Sequence, residues 1–430
     1  MLVAAETEPV CASSLADGIS ANVRSVVDGN NQFAFDLYAQ LASQRPDNVF
    51  FSPYSIFTAF GMLYAGAAGA TAAQMADVLH FELPQEQLHP AMGELVRSLN
   101  DENRAEYRLA VANRLWGQQD YPFLDSFLGT LAEQYAAALE PSDFIDQPAI
   151  SREIINNWVA EQTEQKIRDL LPEGSVSPAT RLVLTNAIYF LGNWRYQFDP
   201  KQTLTAPFHM ADGQSRTIPL MHQVAELRYG HFDQVQVLEL PYAGDELSFI
   251  ALLPDVVDGL AAVEADLSAE RLDEYLEQLA LQKVGVYLPR FEITSDFRLR
   301  DMLAALGMQD VFTTAADLSG IDGRRDLYVS QAVHKAFIDL DESGTEAAAA
   351  TGIVVEITSI HDPPTFRADH PFTFLIRDNV TGSILFLGRV AEPVASTRAI
   401  VPEPSSITLL AVLGLLGTIV FGRHRVHRLV

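Results

Sequence analysis

One cysteine, Cys11, stands in 430 residues. No intrachain disulfide can form, so packing and hydrogen bonds alone must hold the fold. Basic residues are scarce too: 29 Lys and Arg face 56 Asp and Glu, a formal charge of −27. The last thirty residues contribute +2 (Arg423, Arg425, Arg428 and Glu403), which leaves −29 on the body. A surface of that sign repels nucleic acid and other polyanions. Catalytic signatures are also missing: there is no Gly-x-Ser-x-Gly elbow, no His-Glu-x-x-His and no phosphate loop. Neither an enzyme nor a cofactor is expected. No internal repeat appears, and no linker divides residues 30–393, although the length would accommodate two or three domains. A hydrophobic fraction of 48% suffices for one large core. Strand-like runs at 235–240, 247–253 and 283–288 alternate irregularly with helical patterns, which predicts an α+β architecture.

The most informative stretch is 342–358, Glu-Ser-Gly-Thr-Glu-Ala-Ala-Ala-Ala-Thr-Gly-Ile-Val-Val-Glu-Ile-Thr. In an extended chain one face carries Thr345, Ala347, Ala349, Thr351, Ile353 and Val355, and the other carries Glu346, Ala348, Ala350, Gly352, Val354 and Glu356. Small residues on one parity and both glutamates on the other suit a strand that slips between packed neighbours. Alanine favours a short helix instead. Against that stand the β-branched run at 353–358 and Asp362-Pro363-Pro364, which cannot continue a helix. Asp339, Asp341, Ser343 and Gly344 match the opening of a calcium-binding loop, but its twelfth position, which needs a bidentate glutamate, is Ala350. No metal site is expected.

With these features on one chain, residues 30–393 resemble the serpin family. The hinge Glu342, Gly344, Thr345, Glu346, Ala347, Ala348, Ala349, Ala350 and Thr351 is the most specific part of the likeness. Segments 48–56, 157–159 with 163–171, 182–190, 192–194, 288–291, 316–321, 333–336 and 369–372 follow in the family's order. Segment 163–171 resembles part of the helix that crosses the main sheet.

The resemblance implies three β-sheets with eight or nine helices and an exposed reactive-centre loop at 342–366. It implies an irreversible suicide inhibitor of serine endopeptidases, with cysteine peptidases left open as a second class of target. Counting from Glu342 places the reactive bond at Thr358–Ser359, with Ile357 and Ile360 as neighbouring alternatives. A small β-branched residue there suits an elastase-like or subtilisin-like peptidase, whereas trypsin requires Arg or Lys. His334 resembles the shutter histidine, with Asn186, Ser52 and Ser55 as partners. Arg290 and Glu342, beside Trp194, resemble the ion pair at the breach where the loop enters the sheet. A non-inhibitory serpin, acting as substrate, binding module or chaperone, is the alternative. Such members usually carry bulky, charged or proline-containing hinges, unlike this one. Stretch 86–108 carries Glu94, Asp101, Glu102 and Glu106 with few cations, so no heparin-type polyanion is expected. A monomer is expected.

The termini read separately. Residues 1–29 form an N-terminal segment in which Leu2 to Ala5 resemble the remnant of a signal peptide. Residues 394–406 form a linker with a Pro402-Glu403-Pro404 motif, and 407–430 an apolar run with an arginine-rich end. Sixteen apolar residues at 407–422 make roughly 24 Å of helix, short of a ~30 Å hydrocarbon core. Together these resemble the PEP-CTERM sorting signal of bacteria, which an exosortase removes, with an ordinary membrane tail anchor as the alternative. The chain is therefore expected to be exported to the cell surface or beyond.

Overall fold

The computed structural model describes residues 19–100, 107–345 and 363–394. The expected positions Glu346 to Thr351, the bond Thr358–Ser359 and the whole tail after Val394 lie outside these residues. Among the described residues there are ten α-helices, two of them short (Leu260–Asp266 and Ser319–Asp322), and two hydrogen-bonded sheets of nine and seven strands. The three expected sheets are counted as two because the 18-residue strand Ser215–Phe232 serves two layers. It pairs with Leu204–His209 and Ala280–Pro289 along most of its length, and its last five residues pair with Val235–Pro241.

The helix Ala21–Gln44 begins where Ser20 caps it, its side chain accepting from Val23 N. It runs through residue 30, and Val23, Val26 and Val27 are buried. Val49–Phe51 then leads through the Ser52 cap into Pro53–Tyr64, a helix with Pro at its start and every residue buried. This helix lies against both the central strand of the seven-stranded sheet and Ile384–Val390 of the other, so one apolar element fills the space between them. Burial all round requires an apolar sequence all round, which Pro53–Tyr64 supplies.

The seven-stranded sheet is the main sheet here. Its order is Phe291–Arg298, Ala332–Leu340, Gly344–Thr345, Leu182–Asn193, Arg114–Gln118 and Glu140–Ser142, with Tyr107–Val111 also on Leu182–Asn193. Its outer face is covered by Pro148–Gln162 and the segment that follows, through Ile155, Val159, Ile167 and Leu171. That helix was expected to extend through 163–171, but it ends at Gln162. Glu164 and Gln165 have φ of 49° and 65°, and Thr163 Oγ1 takes over by donating to Val159 O and accepting from Ile167 N.

Candidate functional site

The site lies where the main sheet is incompletely filled. Ala332–Leu340 pairs directly with Leu182–Asn193, parallel, over six positions from Ala332↔Leu184 to Phe337↔Tyr189. Beyond them the two strands separate. Gly344–Thr345 sits in the gap, antiparallel to both, with Thr345 opposite Leu340 on one side and Gly192 on the other. The hinge has thus entered the sheet by two residues.

Close approach makes this possible. A Cβ on Gly344 would lie 2.1 Å from Gly192 O, and one on Gly192 would meet the Phe190 ring at 2.6 Å. Both positions require glycine. Thr345 is fully buried, and its Oγ1 is 2.7 Å from Tyr242 Oη. The hinge face that begins with Thr345 therefore looks into the core.

The turn before it is clamped from one side. Trp194 donates twice, from its backbone N to Ser343 O at 2.9 Å and from its indole Nε1 to Asp341 O at 3.0 Å. Phe198 N donates to Glu342 O at 2.9 Å. Trp194 itself stacks on Tyr242 with ring centres 4.6 Å apart. Burial, followed by the charges of Asp339 and Glu342, raises the Asp341 carboxyl above its ordinary range, partly offset by N–H donors from Ser343 and Gly344.

Arg290 and Glu342 do come together, Nη1 to Oε2 at 3.8 Å. Their side chains are about nine-tenths buried, at 11% and 9% exposure, so this is not a solvated surface pair. Glu342 also accepts from Thr203 Oγ1 at 2.7 Å.

Lower down, the expected shutter residues form one network. His334 and Asn186 are register partners on the two directly paired strands. Ser52 N donates to His334 Nε2 at 3.1 Å, which leaves the ring proton on Nδ1, bonded to Asn186 Oδ1. Asn186 Nδ2 donates to Ser55 Oγ and to Asn113 Oδ1, each at 2.9 Å. Ser52 Oγ caps the helix by accepting from Ser55 N and donates to Leu385 O. Burial lowers the His334 pKa to about 3, so the imidazole is neutral. Every partner is satisfied by another polar group, and the Ser52 hydroxyl is committed to Leu385 O and Ser55 N rather than to the ring. The geometry is that of a latch between strands.

Sequence reasoning missed Asn113 and Tyr242, and it placed Gly192 in the 192–194 segment without its close approach to Gly344. Asn113 follows directly on Val111 and Ala112 where one strand ends, and a polar residue there carried no pattern of its own. Asn379, which with Val380 and Thr381 forms an Asn-x-Thr glycosylation pattern, is engaged internally, its Nδ2 donating to Asp245 O and Ser248 Oγ.

A family model described as Serpin (serine protease inhibitor) matches residues 28–393. The chain belongs to the serpin family. It is 43% identical over 373 residues to leukocyte elastase inhibitor of Bos taurus, covering 85% of this chain and 98% of that one. The human leukocyte elastase inhibitor is 42% identical over 374 residues, with the same coverage, and human Serpin B3 is 39% identical over 393 residues, covering 86% and 100%. Among solved structures, this serpin is similar to uncleaved ovalbumin, with a TM-score of 0.78 and 33% identity over 86% of this chain and all of that one. Among the described residues no helix is long and apolar enough to cross a membrane.

Proposed function

We propose that this serpin is a suicide inhibitor of serine endopeptidases that traps its target by inserting the cleaved loop into the main sheet. The observation that carries this reading is the placement of Gly344–Thr345 between Leu182–Asn193 and Ala332–Leu340, antiparallel to both. Each further step along the hinge is a step back along both neighbours. Residue 353, eight past Thr345, meets Leu184 and Ala332, eight before Gly192 and Leu340. Leu184 and Ala332 face each other now. One register thus fits both edges of the seam, and it keeps the small-residue face of the hinge toward the core.

In the proposed reaction the peptidase serine Oγ attacks the Thr358 carbonyl carbon. The bond to Ser359 breaks, the new amine takes the proton, and an ester links enzyme to Thr358. The freed strand then inserts and carries the acyl-enzyme away before water can resolve it. Thirteen residues from Thr345 to Ile357 span about 43 Å at ~3.3 Å per residue, a large displacement for a bound enzyme. The bond Thr358–Ser359 and the names of the leukocyte elastase inhibitors favour an elastase-like target with a shallow apolar pocket, a subtilisin-like one following. His334, Asn186, Ser52, Ser55 and Asn113 act as the latch, and Arg290, Glu342 and Trp194 hold the hinge turn until cleavage. The protein does no chemistry of its own and works as a monomer. The Pro402-Glu403-Pro404 segment and the apolar run after it act as a sorting signal, cut by an exosortase-like enzyme, that brings the inhibitor to the cell surface.

Incubation of the purified protein with elastase-like, subtilisin-like, trypsin-like and cysteine peptidases tests this. An adduct resistant to denaturant, with a released fragment that begins at Ser359, is expected with the elastase-like enzyme. Cleavage without adduct supports the substrate reading instead. The mass of protein recovered from the cell surface tests the tail, since retention of 407–430 counts against sorting by cleavage.

A further inference from the structure

The strand Phe291–Arg298 is the outermost of the main sheet, paired along one side with Ala332–Leu340. Among the described residues one bridge on its other side joins Glu292 to Val394, with Glu292 N donating to Val394 O at 3.0 Å. Outward-facing peptide groups recur at every second residue of such a strand, so those of Thr294 and Asp296 face the same way as that of Glu292. The segment that would continue the ladder is drawn off. Asn48 Oδ1 accepts from Ala391 N at 2.8 Å and Glu392 N at 2.9 Å, and Asn48 Nδ2 donates to Glu392 O at 2.6 Å. Pro393 has no N–H to offer. A groove of about 310 Å³ opens between the two, lined among others by Arg45, Asp47, Asn48, Thr294, Asp296 and Glu392.

Its charge is one-sided. Asp47, Glu292 and Asp296 line the groove opposite a single cation, Arg45, whose guanidinium is 5.0 Å over the Phe297 ring, while Glu392 is already paired with Arg216. Next to Glu292 across the sheet stands Asp339, which is 4% exposed and has one carboxylate oxygen without a hydrogen-bond partner. Lys335 stands opposite Asp296 across the sheet, with its Nζ donating to Arg168 O, and the Lys166 charge acts on Glu292. Among the residues that line the groove the carboxylates still outnumber Arg45, and among the described residues no further strand covers this edge.

We propose that this edge binds an extended, Lys- or Arg-bearing segment of another protein, which adds a strand through the backbone of Thr294 and Asp296. Alternate side chains of the added strand fall on the face that carries Glu292, Thr294 and Asp296, and the cationic ones are held there. The same carboxylates turn away a second copy of this chain, whose net charge is −27. This proposal is independent of peptidase inhibition.

The test uses the full-length protein and three decapeptides: alternating Lys-Val, alternating Glu-Val, and Lys-Val with alternate amides N-methylated. Amide exchange across 291–298 is read with each. The Lys-Val peptide is expected to slow exchange at Thr294 and Asp296 by about tenfold. The Glu-Val and N-methylated peptides leave it unchanged. Thr294→Pro, which removes an outward N–H, abolishes the protection. Asp296→Lys keeps the backbone intact and shifts the preference toward Glu-Val, so a misfolded proline variant does not decide the matter. Equal protection by the N-methylated peptide, which would mark diffuse attraction to an acidic surface, overturns the proposal. So does protection that grows with protein concentration alone, the sign of a second copy, or no protection at all.

Discussion

His334 and Asn186 stand opposite each other on two parallel strands that the proposed loop insertion would part, and their side chains bond across that seam. The ring also accepts from Ser52 N, at the start of the buried helix beneath the sheet. Replacing His334 with Ala removes both contacts and leaves a small void among Ser52, Asn186 and Phe297. The uncleaved protein should lose about 2–4 kcal/mol, seen as a lower melting temperature. Spontaneous insertion of the uncleaved loop should accelerate with it, measured as loss of inhibitory capacity on storage. An unchanged melting temperature would remove the latch from the account.

The same ring sets a pH dependence. Burial holds His334 at about 3 and His89 at about 4, both below the ordinary 6.5. Between those values and 6.5 the unfolded chain binds more protons than the folded one, so stability rises with pH across the window and levels off above it. The slope is about 1.4 kcal/mol per pH unit for each ring. Asp28, Asp273, Asp341 and Glu292, whose carboxyls are raised chiefly by burial, act in the opposite sense toward the acid end. Thermal melts from pH 7 to pH 4.5 should therefore fall for the native protein. His334→Asn should flatten the fall by one proton, and a parallel curve would contradict the assignment.

Much of the hinge was legible because a strand that must fit between packed neighbours, as the proposed insertion requires, imposes a pattern that composition cannot hide. The glycine at 344 and the histidine at 334 are dictated by neighbours they must fit, and the alternation from Thr345 to Val355 is what the proposed insertion would require. What was not legible depends on contacts made far along the chain. Tyr242 matters because it reaches Thr345, 103 residues away, and Asn113 because it reaches Ser55 and Asn186. The end of the helix at Gln162 was missed because the backbone turn at Glu164 and Gln165 uses residues that are not glycine. The sheet count differed for a similar reason, since only the length of Ser215–Phe232 joins two layers into one ladder.

Gly344 gives a direct test of the two-residue insertion. A methyl group there would meet Gly192 O at 2.1 Å, so Gly344→Ala should expel Gly344–Thr345 from the sheet and break the bond to Tyr242. Amide exchange in the peptide 340–345 should rise about tenfold or more, while 182–189 changes little. Unaltered protection at Thr345 would show that the hinge is not seated as described.

The inward face of the hinge predicts a change of outcome rather than of stability. Ala347 shares its parity with Thr345, so after cleavage its side chain would enter the core between Leu182–Asn193 and Ala332–Leu340. Ala347→Arg should stall insertion at that point, and Thr345→Arg, at a position fully buried before cleavage, should block it from the start and also lower the melting temperature. Both variants should be cleaved at Thr358–Ser359 without forming adduct, moving most of the product from trapped complex to cut inhibitor on a gel. Unchanged adduct yield would count against insertion as the trapping step.

Asp339 should act as a brake on the same movement. Continuing the register by one residue sets position 346, a glutamate, between Leu191 and Asp339, and Asp339 is already opposite Glu292 on its other side. Cross-strand neighbours share a face, so insertion would line up three carboxylates on adjacent strands. Like charges directly opposite cost about 0.2–1 kcal/mol, and more where one of them is buried, as Asp339 is at 4% exposure. Asp339→Asn removes the middle charge at almost no change in volume. It should speed insertion relative to deacylation by about two- to fivefold, measured as fewer inhibitor molecules consumed per peptidase trapped. If the wild-type protein and the variant consume inhibitor equally, the carboxylate row has no part in setting the rate.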